Sequence, residues 1–599
     1  MSQSFYSKEN LRFVLYEMCK AEQLCTQTFF AAHNKESFDM ILDATHVLAN
    51  QKLRPLLVEM DRYPPQLIGG KIKVHPALKK LMQEFGEGGW IGMSASYAAG
   101  GQQVPYTIFQ ACGYIMAAAN YSTMVYPFLS NGAAHLIESF GSKTLQEQYI
   151  PKIFSGEWQG TMALTEPEAG SSLADIQTKA YRTTADYYLI KGQKVFISCG
   201  DHDACNNIVH LMLARIEGAP AGTKGISLFV VPQQRITETN ELVFNDVNTA
   251  GIFHKMGYHG APITHLMMGE KEDCRAWLIG EENKGLSYMF QMMNEARIGV
   301  GLNATAIASA AYYHSLNYAR TRKQGRLVAT KKTDTAPVEI IRHPDIKRLL
   351  LFQKAISEGA LALAMQACMY FDLYKTSEGD EKKNYFLLLD LLTPIVKSYP
   401  AEMSIQTTSA GIQVLGGYGY TNEYLAELFF RETRIHTIHE GTTAIHGLDL
   451  LGRKITQENG KALQLLANEI NQTIVSAKNT SAAKYADKLA EMLIQFNQLN
   501  QHLFSKTAAK GLDYLLADAS LYLELAGIIT IAWQWLKQAV VANELINTNQ
   551  TQYNQQFLES KLATCNYFYE YECVKAGGLI QRLQSDDALT IQMDIDLFN

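Results

Sequence analysis

Residues 187–198 read YYLIKGQKVFIS, two runs of aromatic and β-branched residues on either side of Lys191-Gly192. Such runs around a glycine-containing turn are typical of a β-hairpin. Two more apolar runs, at 208–216 and 226–231, predict further strands. We therefore expect a small antiparallel β domain at this point of the chain.

The sequence on both sides of this block predicts helices. Near the N-terminus, within residues 11–18, apolar side chains recur at the spacing of one face of an amphipathic helix. After the block, residues 296–322, 345–374 and 401–414 are rich in Ala, Leu, Met and Gln, which favour helices. An exposed loop is predicted at 325–342, between two of these helices.

The predicted fold class is mainly α with an inserted antiparallel β domain. The chain has 599 residues, and at about 150 residues per domain this length is compatible with four domains. We expect an N-terminal helical domain (1–158), a middle β domain (159–281), a helical bundle (282–455) and an accessory C-terminal helical domain (456–599).

Composition excludes several classes of protein as first hypotheses. The 53 Lys and Arg against 59 Asp and Glu give a net charge of −6, which does not favour nucleic acid as a partner. The nine cysteines include no C-x-x-C pair, which argues against a disulfide framework and for a reducing compartment. The most apolar stretch, 525–536, is short for a bilayer and predicts a buried helix. We expect a cytoplasmic protein without membrane insertion.

One motif imitates a nucleotide-binding loop. Residues 299–304, GVGLNA, match the dinucleotide fingerprint G-x-G-x-x-A. That fingerprint functions after a strand, where a helix N-terminus meets the pyrophosphate, whereas here it follows a helical run. Small residues for close helix packing are the better interpretation.

A second motif imitates a metal site. His436, His439, Glu440 and His446 form the densest cluster of possible ligands. A helical zinc pair requires H-E-x-x-H, and here the spacing differs and Gly441 interrupts the helix. We expect polar-pocket histidines and no metal.

Three other segments can carry chemistry. Residues 162–172, MALTEPEAGSS, form a turn whose hydroxyl and N–H groups can bind an anion or a heteroaromatic ring. Residues 194–200, KVFISCG, place an aromatic ring beside a hydroxyl, and residues 438–445, IHEGTTAI, place one carboxylate before a helix start. Taken singly, they are also compatible with a turn, a strand edge and a helix cap at Thr442 or Thr443.

In this order, and together with QVLGGYGY at 413–420, these segments resemble the acyl-CoA dehydrogenase family from about Gly88 to Lys454. The extra tail resembles the long bacterial-type branch of roughly 600 residues. The resemblance implies a flavoprotein of fatty acid metabolism and β-oxidation that binds FAD and converts an acyl-CoA to trans-2-enoyl-CoA. It also implies electron-transfer flavoprotein as the electron acceptor and a homodimer or homotetramer.

The resemblance implies that Glu440 is the base that takes the α proton while flavin N5 accepts the β hydride. Some relatives carry the base on an interior helix, on the residue before an arginine. Here Ala296 stands before Arg297, and Glu295 is one place away, which turns its side chain by about 100°. Glu440 is therefore favoured over Glu295.

The resemblance also implies the contacts to cofactor and substrate. Those to the flavin ring are Leu164, Thr165, Phe196 and Ser198. Those to the rest of FAD are Ser171, Arg322, Gln413, Gly416, Gly417 and Thr442. Those to the substrate are Asn294, Arg297, His439 and Gly441. The chain also departs from the family pattern. The segment after Arg322 is one residue short and lacks a phenylalanine, and His439 replaces a common tyrosine. Ser172 and Asn294 stand where the family often has aspartate.

Two alternatives stay open at this point. An acyl-CoA oxidase, in which oxygen reoxidises the flavin, has the same motifs. A non-catalytic scaffold of the same fold, such as the DNA-associated relatives, would show a basic face, whereas residues 455–599 carry an excess of acidic side chains. The acyl chain length is open too, because Tyr106, Phe109 and Tyr114 suit either a pocket floor or a helical core.

Overall fold

A β-sheet interrupts an otherwise helical chain, which confirms the predicted fold class, in the computed structural model that describes residues 4–328, 336–548 and 552–599. Part of the loop predicted at 325–342 lies outside these residues. The chain divides into two compact units. One contains Ala32–Ala296, and the other combines Met1–Ala31 with Arg297–Asn599.

Helices form most of the chain before the main sheet. Helix α2 begins with a capping box, in which Asn34 and Ser37 exchange side-chain and backbone hydrogen bonds. The long helix α5 bends at Asn120, whose side chain donates to the Leu53 carbonyl at 3.1 Å. These elements are α1 (Lys8–Arg12), α2 (Lys35–Leu48), α3 (Leu57–Arg62), β1 (Gln66–Ile68), β2 (Lys71–Lys73), α4 (Ala77–Glu87), α5 (Tyr106–Phe140) and α6 (Lys143–Phe154).

The main sheet has the strand order β10-β11-β5-β12-β7-β6-β3, with β4 beside β5 and β6. Its pairs are antiparallel, except that β6 runs parallel to β3 and β4. Strands β8 and β9 form a separate pair. The strands are β3 (Trp158–Ala163), β4 (Lys179–Arg182), β5 (Tyr188–Ser198), β6 (Asn207–Ile216), β7 (Ile226–Pro232), β8 (Gln234–Ile236), β9 (Leu242–Phe244), β10 (Val247–Ile252), β11 (Ile263–Met268) and β12 (Arg275–Ile279).

The hairpin predicted at 187–198 is wrong, because β5 continues without a turn through Lys191-Gly192. A Cβ atom at Gly192 would lie 2.6 Å from the Thr178 Oγ1 atom. The glycine therefore permits a close approach between neighbouring chain segments, a tertiary reason that resembles a turn signal in the sequence. The strands predicted at 208–216 and 226–231 are confirmed as β6 and β7.

The second unit is helical. Helices α8 and α9 pack along each other, and α15 packs on both. The helices after the sheet are α7 (Gly285–Thr321), α8 (Pro344–Thr376), α9 (Gly379–Leu415), α10 (Ala426–Thr433), α11 (Thr443–Gly452), α12 (Lys461–Ala477), α13 (Ala483–Lys510), α14 (Leu512–Leu516), α15 (Ala519–Thr548), α16 (Gln555–Tyr567), α17 (Lys575–Gln584) and α18 (Leu589–Gln592).

The apolar stretch 525–536 lies in α15 and is buried, as predicted. Among the described residues, α15 alone is long and apolar enough to cross a bilayer, yet 89% of its most apolar window is buried inside the protein. Its Trp535 indole donates to the Ala355 carbonyl of α8 at 2.9 Å. Such burial is typical of a helix in the core of a folded protein.

The GVGLNA motif lies within α7, which confirms its interpretation as a packing motif. A Cβ atom at Gly301 would lie 1.9 Å from the Val396 carbonyl oxygen and 3.1 Å from the Lys397 Cα atom on α9. The absence of a side chain at Gly301 lets the two helix backbones touch.

We expect Gly301→Ala to lower the free energy of unfolding by about 2 kcal/mol, because the added methyl group forces α7 and α9 apart. Gly577→Ala on α17 is the matched control, since a Cβ atom there meets nothing within 4 Å. Chemical unfolding of both variants measures the difference. Equal stability of the two variants would contradict the close contact.

Candidate active site

The turn after β3 carries the predicted flavin contacts Leu164 and Thr165, both partly accessible. The Thr165 carbonyl accepts a hydrogen bond from the Val195 N–H group of β5 at 2.9 Å. Glu166 and Ala169 exchange two backbone hydrogen bonds across the next turn, at 3.1 and 3.0 Å. The backbone of this turn is therefore tied to β5.

A buried lysine and glutamate fix the same turn. The Lys194 Nζ atom donates to the Leu164 carbonyl at 2.9 Å and to the Glu166 Oε1 atom at 2.7 Å. Glu166 also accepts the N–H groups of Gln177 and Thr178, at 2.5 and 3.1 Å. Burial lowers the pKa of Lys194 to about 8. Burial raises the pKa of Glu166, but Lys194 and the hydrogen bonds outweigh this effect and hold it below its usual value.

The end of β5 presents an aromatic ring and a hydroxyl, as predicted. The Phe196 side chain is 60% exposed and stacks on Phe253 with ring centres 4.5 Å apart. Its backbone has a φ of +58°, unusual for a bulky residue. Ser198 and Thr165 are partly accessible, and Ser171 is exposed. An accessible ring with hydroxyl donors suits a planar heteroaromatic group such as a flavin.

Glu440 lies in the second unit, just before α11, on a left-handed turn. The φ angles of Glu440 and Gly441 are +55° and +94°. The Lys397 Nζ atom donates to the Gly441 carbonyl at 2.6 Å, and the His446 Nε2 atom lies 3.0 Å from the Glu440 carbonyl. Because a carbonyl only accepts, the His446 proton is on Nε2.

The surroundings of Glu440 suit a general base. The side chain is partly accessible, and burial raises its pKa while the positive charges of Arg297 and Lys397 act in the opposite direction. Burial lowers the pKa of Lys397 to about 8. Arg297 is buried, with its Nη1 atom 3.9 Å from the Asp449 Oδ2 atom. A carboxylate with a raised pKa takes a proton more readily than an ordinary one.

His436 and His446, near Glu440, bond to backbone carbonyls. The His436 Nδ1 atom lies 3.1 Å from the Thr433 carbonyl, and burial lowers the pKa of His436 and of His446 to about 3. Burial also lowers the pKa of His439 well below its usual value. These rings are neutral at physiological pH, which agrees with the interpretation as polar-pocket histidines.

The alternative of a helix cap does not explain Thr442, just before α11, or Thr443, the first residue of that helix. Thr442 occupies the N-cap position, but within the described chain its side chain makes no capping bond. The Thr443 hydroxyl donates to the Glu402 carboxylate instead.

Glu295 lies in the first unit, in an ion pair rather than on a strained turn. Its Oε2 atom is 3.4 Å from the His135 Nδ1 atom, and its carbonyl accepts the Tyr106 hydroxyl at 2.8 Å. The neighbouring Asn294 is partly accessible on the same helix. Tyr106 is buried in α5 with Phe109, which stacks on Phe128 at 4.5 Å.

An open polar groove of about 610 Å³ surrounds Arg322 in the second unit. The Arg322 guanidinium lies 5.8 Å from the centre of the Tyr418 ring. At the C-terminal end of α9, Gln413, Gly416 and Gly417 are exposed. The groove is lined by His314, Asn317, Tyr318, Thr321, Arg322, Tyr418, Glu423, Tyr424 and Leu425. An arginine among hydroxyl groups and aromatic rings suits a phosphate and a base.

Sequence reasoning missed Lys194 and Lys397, the two lysines that hold the site turns. A signal for both exists in the sequence, because Lys194 directly precedes the apolar residues VFI and Lys397 stands inside the run IVKSY. A lysine in such a run is buried only with a partner.

Family models match the chain along most of its length. They are described as the acyl-CoA dehydrogenase N-terminal domain (35–157), middle domain (161–270) and C-terminal domain (283–455), and as acetyl-CoA dehydrogenase C-terminal like (466–594). A 3-methylmercaptopropionyl-CoA dehydrogenase of Ruegeria pomeroyi is 35% identical over 549 residues, which cover 91% of this chain and 92% of that relative. The chain belongs to the acyl-CoA dehydrogenase family. It is an acyl-CoA dehydrogenase whose cofactor is FAD.

Other acyl-CoA dehydrogenases match over nearly the whole chain. A butyryl-CoA dehydrogenase of Syntrophomonas wolfei is 31% identical over 608 residues, which cover 99% of both chains. Caenorhabditis elegans ACDH-11 in complex with C11-CoA has a TM-score of 0.75 at 20% identity, with 94% of this chain and 92% of that chain covered. A Bacillus anthracis acyl-CoA dehydrogenase complexed with FAD has a TM-score of 0.72 at 20% identity, covering 93% and 90%. The two structures show the shared fold.

We expect Lys194→Met to weaken FAD binding about tenfold or more, because the turn at Leu164 and Thr165 loses its anchor and Glu166 is left unpaired. Lys191→Met is the matched control, since Lys191 is on the same strand, exposed, and paired with the exposed Glu272. Titration of the apoprotein with FAD, followed by flavin fluorescence, measures the affinity. Equal FAD affinity in the two variants would count against this role of the turn.

Proposed function

We propose that this enzyme removes the α proton and the β hydride of an acyl-CoA thioester to give trans-2-enoyl-CoA, with Glu440 as the base. The observation that carries the proposal is the accessible Glu440 carboxylate, held on a left-handed turn, with a pKa raised by burial. The α proton of a thioester is weakly acidic, so its removal requires a base shielded from water. FAD, when bound, accepts the hydride from the β carbon.

The backbone at Glu440 has a second role in the proposal. Its N–H group binds the thioester carbonyl, where negative charge develops as the α proton leaves. The carbonyls of Glu440 and Gly441 accept hydrogen bonds from His446 and Lys397, which fixes the adjoining peptide planes. Arg297 and Lys397 favour the ionised carboxylate and so oppose the effect of burial on its pKa.

The cofactor contacts in the proposal are accessible groups that belong to the family motifs. Leu164, Thr165, Phe196 and Ser198 hold the flavin ring, because they combine an exposed aromatic face with hydroxyl and backbone donors. The rest of FAD is held by Ser171, Arg322, Gln413, Gly416, Gly417 and Thr442. Asn294, Arg297, His439 and Gly441 face the substrate.

Short acyl chains are the substrate class that we propose. The relatives of 35% and 31% identity are a 3-methylmercaptopropionyl-CoA and a butyryl-CoA dehydrogenase, both named for short thioesters. We propose electron-transfer flavoprotein as the electron acceptor. A relative at 27% identity over 377 residues is the CarC subunit of the caffeyl-CoA reductase-Etf complex of Acetobacterium woodii.

We expect Glu440→Gln to retain bound FAD and to reduce it at least 100-fold more slowly with acyl-CoA, because the amide cannot take the α proton. Glu295→Gln is the matched control and is expected to keep a rate within about threefold of the wild type. Anaerobic stopped-flow absorbance of the flavin measures both rates. A native rate in Glu440→Gln would refute the assignment of the base.

We expect butyryl-CoA and 3-methylmercaptopropionyl-CoA to bleach the flavin at least tenfold faster than palmitoyl-CoA, on the basis of the substrate class. An anaerobic comparison of the three thioesters measures this preference. Oxygen consumption, compared with reduction of electron-transfer flavoprotein, separates a dehydrogenase from an oxidase. Fast bleaching by palmitoyl-CoA alone would contradict the short-chain proposal.

A further inference from the structure

We propose that Lys397 is a positioning residue of this reaction. Its ammonium group and the His446 imidazole hold the carbonyls of Gly441 and Glu440 and thereby orient the base. We call this pair of contacts the clamp. The inference rests on the proposed role of Glu440. It adds two residues that hold the turn of the base, and both lie outside the family motifs quoted for this sequence.

The clamp consists of two side chains from two helices. Lys397, on α9, is fully buried and donates to the Gly441 carbonyl at 2.6 Å. His446, on α11, is also fully buried and donates to the Glu440 carbonyl at 3.0 Å. Two consecutive carbonyls are thus held by different helices, which fixes the two peptide planes on either side of the Gly441 Cα atom; the first of these planes joins Glu440 to Gly441.

The turn that they hold is strained without such support. The left-handed region is unfavourable for a non-glycine residue because its Cβ atom crowds the backbone, and Glu440 has a φ of +55°. Such a conformation persists only where the surroundings impose it. At Gly441, with a φ of +94°, a Cβ atom would lie 2.9 Å from the His446 Nε2 atom, so a side chain there would push the clamp open.

The partner of Lys397 is unusual for a buried lysine in this chain. Lys194 and Lys561 are equally buried, and they donate to the carboxylates of Glu166 and Glu358. The hydrogen bond of Lys397 goes to a peptide carbonyl, which does not neutralise its charge. A buried charge is expensive without a neutralising contact, so its place beside a catalytic carboxylate indicates a functional role.

Lys397 also acts on Glu440 through its charge. The positive groups Arg297 and Lys397 oppose the effect of burial on the pKa of Glu440. Loss of Lys397 therefore raises the pKa of Glu440 further. The other titratable groups of the surrounding elements are Asp390 and Glu402 on α9, His436 and His439 before α11, and His446 and Asp449 on α11.

The test compares Lys397→Met with Lys561→Met, which removes another buried lysine, far along the chain and outside the proposed site. FAD-loaded enzymes are mixed anaerobically with butyryl-CoA or 3-methylmercaptopropionyl-CoA, whichever bleaches the wild type faster, at pH values from about 5.5 to 9. The rate falls at low pH as Glu440 becomes protonated. Thermal unfolding of each variant is recorded in parallel.

We expect Lys397→Met to lower the maximal rate by about 10- to 100-fold and to move the acidic limb of the rate profile upward by about one pH unit. Lys561→Met is expected to lower the melting temperature and to leave the acidic limb in place. Lys397→Arg, which keeps the charge and the donors, is expected to restore the acidic limb.

The outcomes distinguish a failure of the clamp from a failure of the base assignment. If Lys397→Met has the rate and the acidic limb of the wild type while Glu440→Gln is inactive, the clamp is overturned and the base assignment stands. A native rate in Glu440→Gln overturns the proposed function itself. If Lys397→Met does not accumulate as folded protein, Lys397→Gln keeps N–H donors without the charge, and an unshifted limb in that variant also overturns the inference.

Discussion

The candidate site depends on one kind of interaction, a buried ammonium group that donates to a backbone carbonyl. Lys194 donates to the Leu164 carbonyl at the end of β3, and Lys397 donates to the Gly441 carbonyl before α11. The two turns carry the residues proposed to contact the flavin ring and the substrate. Turns are usually the least ordered parts of a fold. A buried donor from a neighbouring strand or helix fixes one carbonyl of each turn, and fixed positions are what preorganised chemistry requires.

The same lysines set the charge in the site. Burial raises the pKa of Glu440, and the positive charges of Arg297 and Lys397 act in the opposite direction. In the other turn, the pKa of Glu166 is held low by Lys194, and Glu166 serves as an anchor rather than a base. Environment, rather than residue type, gives these two glutamates different roles.

The sequence predicted those features that depend on local pattern. Strands β6 and β7, the buried α15 and the packing role of Gly301 follow from periodicity and composition, and the structure confirms them. The predicted hairpin was wrong because the glycine at position 192 permits a close contact with Thr178, and no local pattern reveals that contact. For the site, family motifs identified the candidate residues, but the clamps on their backbones come from residues far away in the chain. Hydrogen bonds between Lys397 and Gly441 become visible only when the fold is known.

The accessory helices belong to the same physical argument, because α15 packs directly on α11, the helix that follows Glu440. A Cβ atom at Gly447 of α11 would lie 2.7 Å from the backbone of Ala519, so the two helices touch without side chains between them. Lys561 of α16 donates to Glu358 of α8 and to Gln538 of α15, and also contacts Asn10 near the N-terminus. Breaking these contacts would leave the buried Glu358 paired with Lys354 and weaken the contact between α16 and α8. Through α15, the C-terminal helices are therefore part of the core against which α11 packs, whereas the contacts of Lys561 join α16 to α8 and α15.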